Sequence, residues 1–276
     1  MRILFLASAG MILASCGGGD GTEPDDTSVT DTDSDVGDDD DDVGDDDDDT
    51  TTVETTANLS GVITDENGSP VGGANIRFCR GEQCRYAVTE SDGLYEFDET
   101  AVAPQSFEVV PPLGGGMATA FAPLTFASNE VRVVDVMVPS EAAAANLPAG
   151  MTELTLGALR ITMGGDDLTA PIFVDEATEA SATLVQMDDW LPTDTIDGTV
   201  LAMWYLMPFD HHSDAGMEVR FDLGSMGLDG AEYKAYLGDY KTSTWLDIGT
   251  VTDGGGGIYD GAEIDHLSTI ILVDES

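Results

Sequence analysis

Several groups of residues in this 276-residue chain have types and spacings that could do chemistry. His266 and Ser268 flank Leu267. Two apart on a strand, they would share one face, a base beside a hydroxyl nucleophile. His211 and His212 lie between Asp210 and Asp214, which invites a zinc reading. Adjacent residues on a strand point to opposite faces, so the two imidazoles do not readily share one ion, and a polar loop after Pro208 is expected instead. Asp31, Asp33 and Asp35 alternate as the first ligands of a calcium loop do. Val36 stands where such a loop needs glycine, and no glutamate closes it, so no metal site is expected and weak calcium binding is kept as the alternative. Cys79 and Cys84 flank four residues. A metal site would need two more soft or imidazole ligands near them, and a redox pair is more often spaced C-x-x-C. With 54 acids in the chain, close carboxylate pairs arise by chance and single out no glycosidase site.

The charge balance removes whole classes of function. Against those 54 acids stand 9 bases, for a formal charge of −45. Duplex binding depends on basic residues that displace counterions from phosphates, so no nucleic-acid partner is expected. Attraction to an anionic membrane surface is excluded on the same grounds. The acids are unevenly placed: 18 of them lie between Asp20 and Glu54 with no base among them. Residues 16–57 are mostly Gly, Thr, Ser and Asp, and Asp35–Asp41 recurs as Asp42–Asp48. So little apolar surface cannot offset the entropy of ordering, which predicts a disordered acidic tether spanning roughly 35 Å as a coil. The remainder alternates apolar stretches with Gly, Asn and Pro, and the 42% apolar fraction is enough for a real core.

Met1 and Arg2 precede an apolar run, Ile3–Leu13, of 11 residues. A bilayer-spanning helix takes about 20, so residues 1–15 read as an export signal. Leu13-Ala14-Ser15-Cys16 resembles the lipobox of bacterial lipoproteins. The resemblance implies that Cys16 is alkylated by diacylglycerol and becomes the mature N-terminus, a membrane anchor whose acyl chains each add about 0.8 kcal/mol per buried CH₂. Gly17 follows, where Asp would favour the inner membrane, so the resemblance implies an outer-membrane lipoprotein facing the periplasm or the exterior. In an exported chain whose third cysteine is lipidated, Cys79 and Cys84 are expected to form a disulfide.

The positions of the chemical groups depend on strands. Leu59–Thr64, Ala74–Phe78, Cys84–Thr89, Leu94–Phe97, Phe107–Val110 and Val131–Val138 read as short strands between turns. Gly61–Ala74 (GVITDENGSPVGGA) and Thr89–Phe97 (TESDGLYEF) resemble the two signatures of a carboxypeptidase regulatory-like, or transthyretin-like, domain. That implies a non-catalytic β-sandwich over 58–139. Within it Gly68 and Gly93 should take positive φ, and Tyr95 and Phe97 should face the core. Glu141–Asn146 is an Ala-rich link suited to one helical turn. Strands are then expected at Leu154–Met163, Ile172–Val174, Ala182–Met187, Val200–Met207, Met217–Leu223, Tyr233–Leu237, Thr244–Val251 and Leu267–Val273. From residue 200 onward, and most clearly at Trp245–Gly249, the order resembles a bacterial surface module related to the β-sandwich of ankyrins and netrin receptors.

Some relatives of that sandwich cut themselves at a His-Leu-Ser/Thr step, so the resemblance makes cleavage at Leu267–Ser268 an alternative. The cysteines and tryptophans of the receptor motif are missing here, and the chain is expected to stay intact. The expectation is therefore an all-β protein: two β-sandwich modules, 58–139 and 140–276, in tandem after the tether. It is read as a non-enzymatic envelope lipoprotein with no cofactor and a glycan or protein surface as partner. A calcium-dependent adhesion module is the rival.

Overall fold

The computed structural model describes residues 56–276 except Glu82, Phe173, Trp190 and Asp194. The regular elements described are β-strands and short 3-10 segments, joined by turns and irregular links, and no described helix is long and apolar enough to cross a membrane. The first eight strands are β1 (Thr56–Asp65), β2 (Asn75–Arg80), β3 (Gln83–Val88), β4 (Leu94–Ala101), β5 (Gln105–Val110), β6 (Ala120–Leu124), β7 (Val131–Val133) and β8 (Val136–Val138). They build two sheets. In one, β1 pairs antiparallel with β4 and parallel with β7 and β8; the other runs β3-β2-β5-β6, all antiparallel.

Period-two alternation sets this part. Ile76 and Phe78 on β2 point inward while Arg77 between them is exposed, and Tyr95 and Phe97 on β4 are buried with Glu96 outside. Gly68 and Gly93 have φ of 75° and 77°, as their turns require. The expected strand over Val131–Val138 is two strands. Between them Val134 turns in and is buried, and Asp135 Oδ1 accepts a hydrogen bond from the Val62 backbone. Cys79 and Cys84 face each other across the β2–β3 ladder and are joined in a disulfide. Closing so short a loop is worth about 2 kcal/mol in the chain-entropy account.

The other ten strands are β9 (Ala145–Asn146), β10 (Thr152–Leu156), β11 (Leu159–Met163), β12 (Glu179–Val185), β13 (Thr199–Met207), β14 (His212–Asp222), β15 (Glu232–Asp239), β16 (Thr244–Asp253), β17 (Ile258–His266) and β18 (Thr269–Asp274). They form one sheet in the order β10-β11-β14-β17-β16-β15-β18-β13-β12-β9. The expected helical turn in 141–146 is absent; β9 pairs with β12 instead. The expected strand Leu154–Met163 is a hairpin turned at Gly157, whose φ is 65°. Ile172 and Val174 are 83% and 52% exposed and lie outside any strand.

Strands β13 and β18 are apolar on both faces, and each face has its own neighbours. Ala202, Trp204, Leu206, Ile270 and Leu272 pack with Phe221 and Leu237 inside the large sheet. Met203, Tyr205, Ile271 and Val273, with Trp245 from β16, belong to the same hydrophobic cluster as Phe78, Phe97 and Phe107. A strand covered on both sides reads as a continuous apolar run, as these do. The Thr269 hydroxyl donates to the Phe121 carbonyl at 2.7 Å and ties β18 to β6. One of these two buried apolar clusters thus includes residues from all three sheets.

Candidate functional site

The residues singled out from sequence fall in different places. Cys16 and the aspartates Asp31, Asp33 and Asp35 lie outside the described residues. The three histidines gather where β14 meets β17. His212 opens β14 directly opposite His266, the last residue of β17, with the rings 5.3 Å apart. His212 Nε2 contacts Asp210 Oδ1 at 3.0 Å, and His266 Nδ1 contacts Asp265 Oδ1 at 2.6 Å. Burial pushes the Asp265 carboxyl up, but the hydrogen bond and charge of His266 outweigh it and hold the group below the usual range.

His211 faces elsewhere, with its ring nitrogens 3.3 Å from the carbonyls of Phe209 and Asp175. The expected loop after Pro208 runs to His211, but His211 is 1% exposed in it and His212 already lies in a strand. A neutral imidazole has one N–H, so the buried ring can donate to one of these two carbonyls. Among the described residues no three His, Cys, Asp or Glu side chains gather to hold a metal ion.

Ser268 is 1% exposed and its hydroxyl has no partner. The peptide before it is tied down on three sides. Leu267 N–H donates to the His211 carbonyl (2.9 Å), the Leu267 carbonyl accepts from Asp210 N–H (2.7 Å), and the Ser268 carbonyl accepts from Leu206 N–H (3.2 Å). The Asp210 N–H, from a residue with φ of 59°, stands where a donor for an oxyanion at this step would be. The base, however, is engaged elsewhere: His266 Nδ1 meets Asp265 and Nε2 lies 3.3 Å from the Gly238 carbonyl. The chain is therefore expected to remain whole at Leu267–Ser268. Intact-mass measurement under denaturing conditions checks this; loss of Ser268–Ser276, abolished by Ser268→Ala, would reverse the conclusion.

A second polar cluster lies on the outer face of β2 and β5. Glu108 is buried and its carboxylate meets the half-exposed Arg77 guanidinium at 3.3 Å. Beside it the Ser106 hydroxyl bonds the Tyr240 carbonyl (2.8 Å) and the Ser243 hydroxyl (2.9 Å), and the Tyr240 hydroxyl rests against the disulfide sulfurs. These contacts explain why β5 can bury residues on both faces. Burial pushes the Glu108 carboxyl up; Arg77 pulls it down, Asp210 pushes it up further, and the net direction is upward.

The sign of the linkage follows. A carboxyl raised in the folded state holds its proton more tightly there, so its contribution is intact below the ordinary carboxylate range and is lost as pH rises through the raised value. Glu108→Gln should flatten the fall in melting temperature over that window. Arg77→Gln should steepen it and cost about 1–2 kcal/mol near neutrality, less than for a fully buried pair because water reaches Arg77. Parallel pH profiles for wild type and Glu108→Gln would remove this pair from the account.

Four of the concave sites on the described surface differ in their lining. Three carry acids: Glu232, Asp274 and Glu275 in one, Asp247, Glu263 and Asp265 in another, Glu90 and Glu96 in the third. The fourth, about 240 Å³, lies at the seam between the two parts and is lined by Pro104, Thr125, Thr195, Ser243, Thr244 and Trp245. The sequence pointed to Trp245 as part of a recognisable strand, not as a wall of a cavity. Only the packing of β16 against β6 brings it there.

No family model matches the chain, and no curated protein matches it. Among solved structures, it is similar to a Bacteroides uniformis protein described as a candidate carbohydrate-binding protein, at 15% identity and a TM-score of 0.25, covering 76% of this chain and 98% of that one. It is also similar to a streptococcal ancillary pilin, at 12% identity and 0.27, covering 79% of this chain and 52% of the pilin. A DUF3823 family protein from Parabacteroides merdae matches at 8% identity and 0.25, covering 76% of this chain and 81% of its own length. Likenesses this loose carry no argument about ligand or role.

Proposed function

We propose that the chain is an outer-membrane lipoprotein anchored through Cys16. In this reading, residues 16–57 space a binding body from the membrane, and the modules 58–139 and 140–276 act together as one non-enzymatic unit for a glycan or protein surface. The observation that supports binding is the seam. There, strands from both parts share one apolar cluster and leave between them a cavity that neither part builds alone. A rigid concavity held by a scaffold is the usual ground for recognition. The anchor rests on the apolar run ending in Leu-Ala-Ser-Cys.

Two measurements test the parts separately. Cys16→Ser should release the protein from membranes; if the variant still fractionates with them after a high-salt wash, the lipid anchor is wrong. The mature protein should retain envelope glycans or proteins in a pulldown, and retention of neither would remove the binding role.

A further inference from the structure

We propose that the seam cavity is a saccharide subsite that takes a single uncharged sugar unit, a refinement that rests on the glycan-binding reading above. Its wall is an indole, a proline ring and four hydroxyl side chains: Trp245, Pro104, Thr125, Thr195, Ser243 and Thr244. None of the described residues lining it is ionisable, in a chain of formal charge −45, whereas three other concavities of the described surface carry acids.

Each part of the wall matches one aspect of a sugar ring. Hydroxyl groups donate and accept, and so can exchange hydrogen bonds with ring hydroxyls in either sense. An indole and a proline present apolar surface to the C–H face of such a ring. The Trp245 indole N–H is buried without a partner in the protein. The volume of about 240 Å³ falls below the roughly 300–1,000 Å³ of sites for larger ligands and suits one ring.

The wall is also preorganised. Ser243 sits at φ 56°, a backbone conformation rare for serine, and its hydroxyl is fixed by Ser106 at 2.9 Å. The Thr244 hydroxyl is paired with that of Thr242 at 2.7 Å. The strongly negative body works against an acidic sugar, because its field lowers the local concentration of anions. Selection for an uncharged ring therefore comes from the wall and from the whole-protein field together.

The test uses the mature full-length protein in detergent and follows the Trp245 indole N–H resonance, assigned by its loss in Trp245→Phe. Methyl glycosides of glucose, galactose and mannose, and N-acetylglucosamine, are titrated beside glucuronate and galacturonate. At least one neutral sugar should shift the resonance saturably, with the matching uronate binding about tenfold more weakly. Thr195→Val with Thr244→Val, both at exposed positions, should weaken the neutral sugar about tenfold without changing the melting temperature. Equal binding of the uronate, or unchanged affinity in the double variant, would overturn the proposal. If no sugar moves Trp245 while envelope glycans are still retained in the pulldown, this subsite is wrong and the glycan reading stands. If glycans are not retained either, both fail.

Discussion

Phe78→Ala should destabilise the folded body by about 3–5 kcal/mol, the largest loss expected from any single truncation in the first part. Phe78 is 1% exposed, and three other rings surround it: Phe97 at 5.4 Å, Phe126 at 5.7 Å edge-on and Phe107 at 6.3 Å edge-on. Such pairs contribute beyond their buried area, and neither Phe97 nor Phe107 can follow a vanished ring without leaving its own strand. Because Met203, Tyr205 and Trp245 belong to the same cluster, the loss should be felt in the second part as well. Urea unfolding followed by the fluorescence of the three tryptophans should therefore show one transition displaced to lower denaturant. Phe78→Leu should lose much less, since it keeps most of the volume. A loss below about 1 kcal/mol for the alanine variant, or an unmoved tryptophan transition, would contradict a shared core.

Gly61→Ala should cost about 3 kcal/mol, at the upper end of what overpacking does. Gly61 lies in β1 where the chain between β7 and β8 crosses above it, and a methyl group there would collide with the Val134 carbonyl and come within 2.9 Å of the Tyr95 ring. The carbonyl cannot yield easily. Tyr95 donates its hydroxyl to that oxygen at 2.7 Å, and Val134 N–H is bonded to the Ser60 carbonyl at 2.9 Å. Gly68→Ala makes the contrast, since a methyl there meets nothing and only the positive φ of 75° resists it, for about 1–2 kcal/mol. Thermal or urea denaturation of the two variants side by side decides the matter; equal losses would mean that the crossing over β1 is not as tight as drawn.

The first part of the fold was legible because its signals are local. A glycine in a turn, or Tyr95 and Phe97 two apart, declares its own surroundings, and both features occur as read. Val219, Phe221 and Leu223 likewise alternate with polar residues and are all fully buried. Strand β6 was missed because Ala120–Leu124 is buried throughout and contains Pro123, so neither alternation nor propensity marks it. Strand β17 was missed because Asp260 and Gly261 resemble a turn within an otherwise alternating segment. The buried His211 ring lies against carbonyls of Phe209 and Asp175, the latter 36 residues away in sequence, which no pattern near His211 could announce. The seam did leave a trace, the unbroken apolar runs of β13 and β18, but nothing in a run says what lies against each face. Of the candidate site, the disulfide pair was readable. The cavity at Trp245 was not, because Pro104, Thr125 and Thr195 reach it only through the tertiary fold.

The place of β1 has a mechanical consequence. For a chain held at Cys16, as proposed, a tug from a captured partner would enter the folded body at Thr56, the first residue of β1. That strand is flanked on one side by antiparallel β4 and on the other by parallel β7 and β8. Tension along it loads those ladders in shear, so many hydrogen bonds must slip together instead of parting one after another from an exposed end. The time to rupture under such a load follows the unfolding rate. A body attached through an inner strand resists sustained flow or shear as a brace does, whereas one attached through an edge strand would open like a zip.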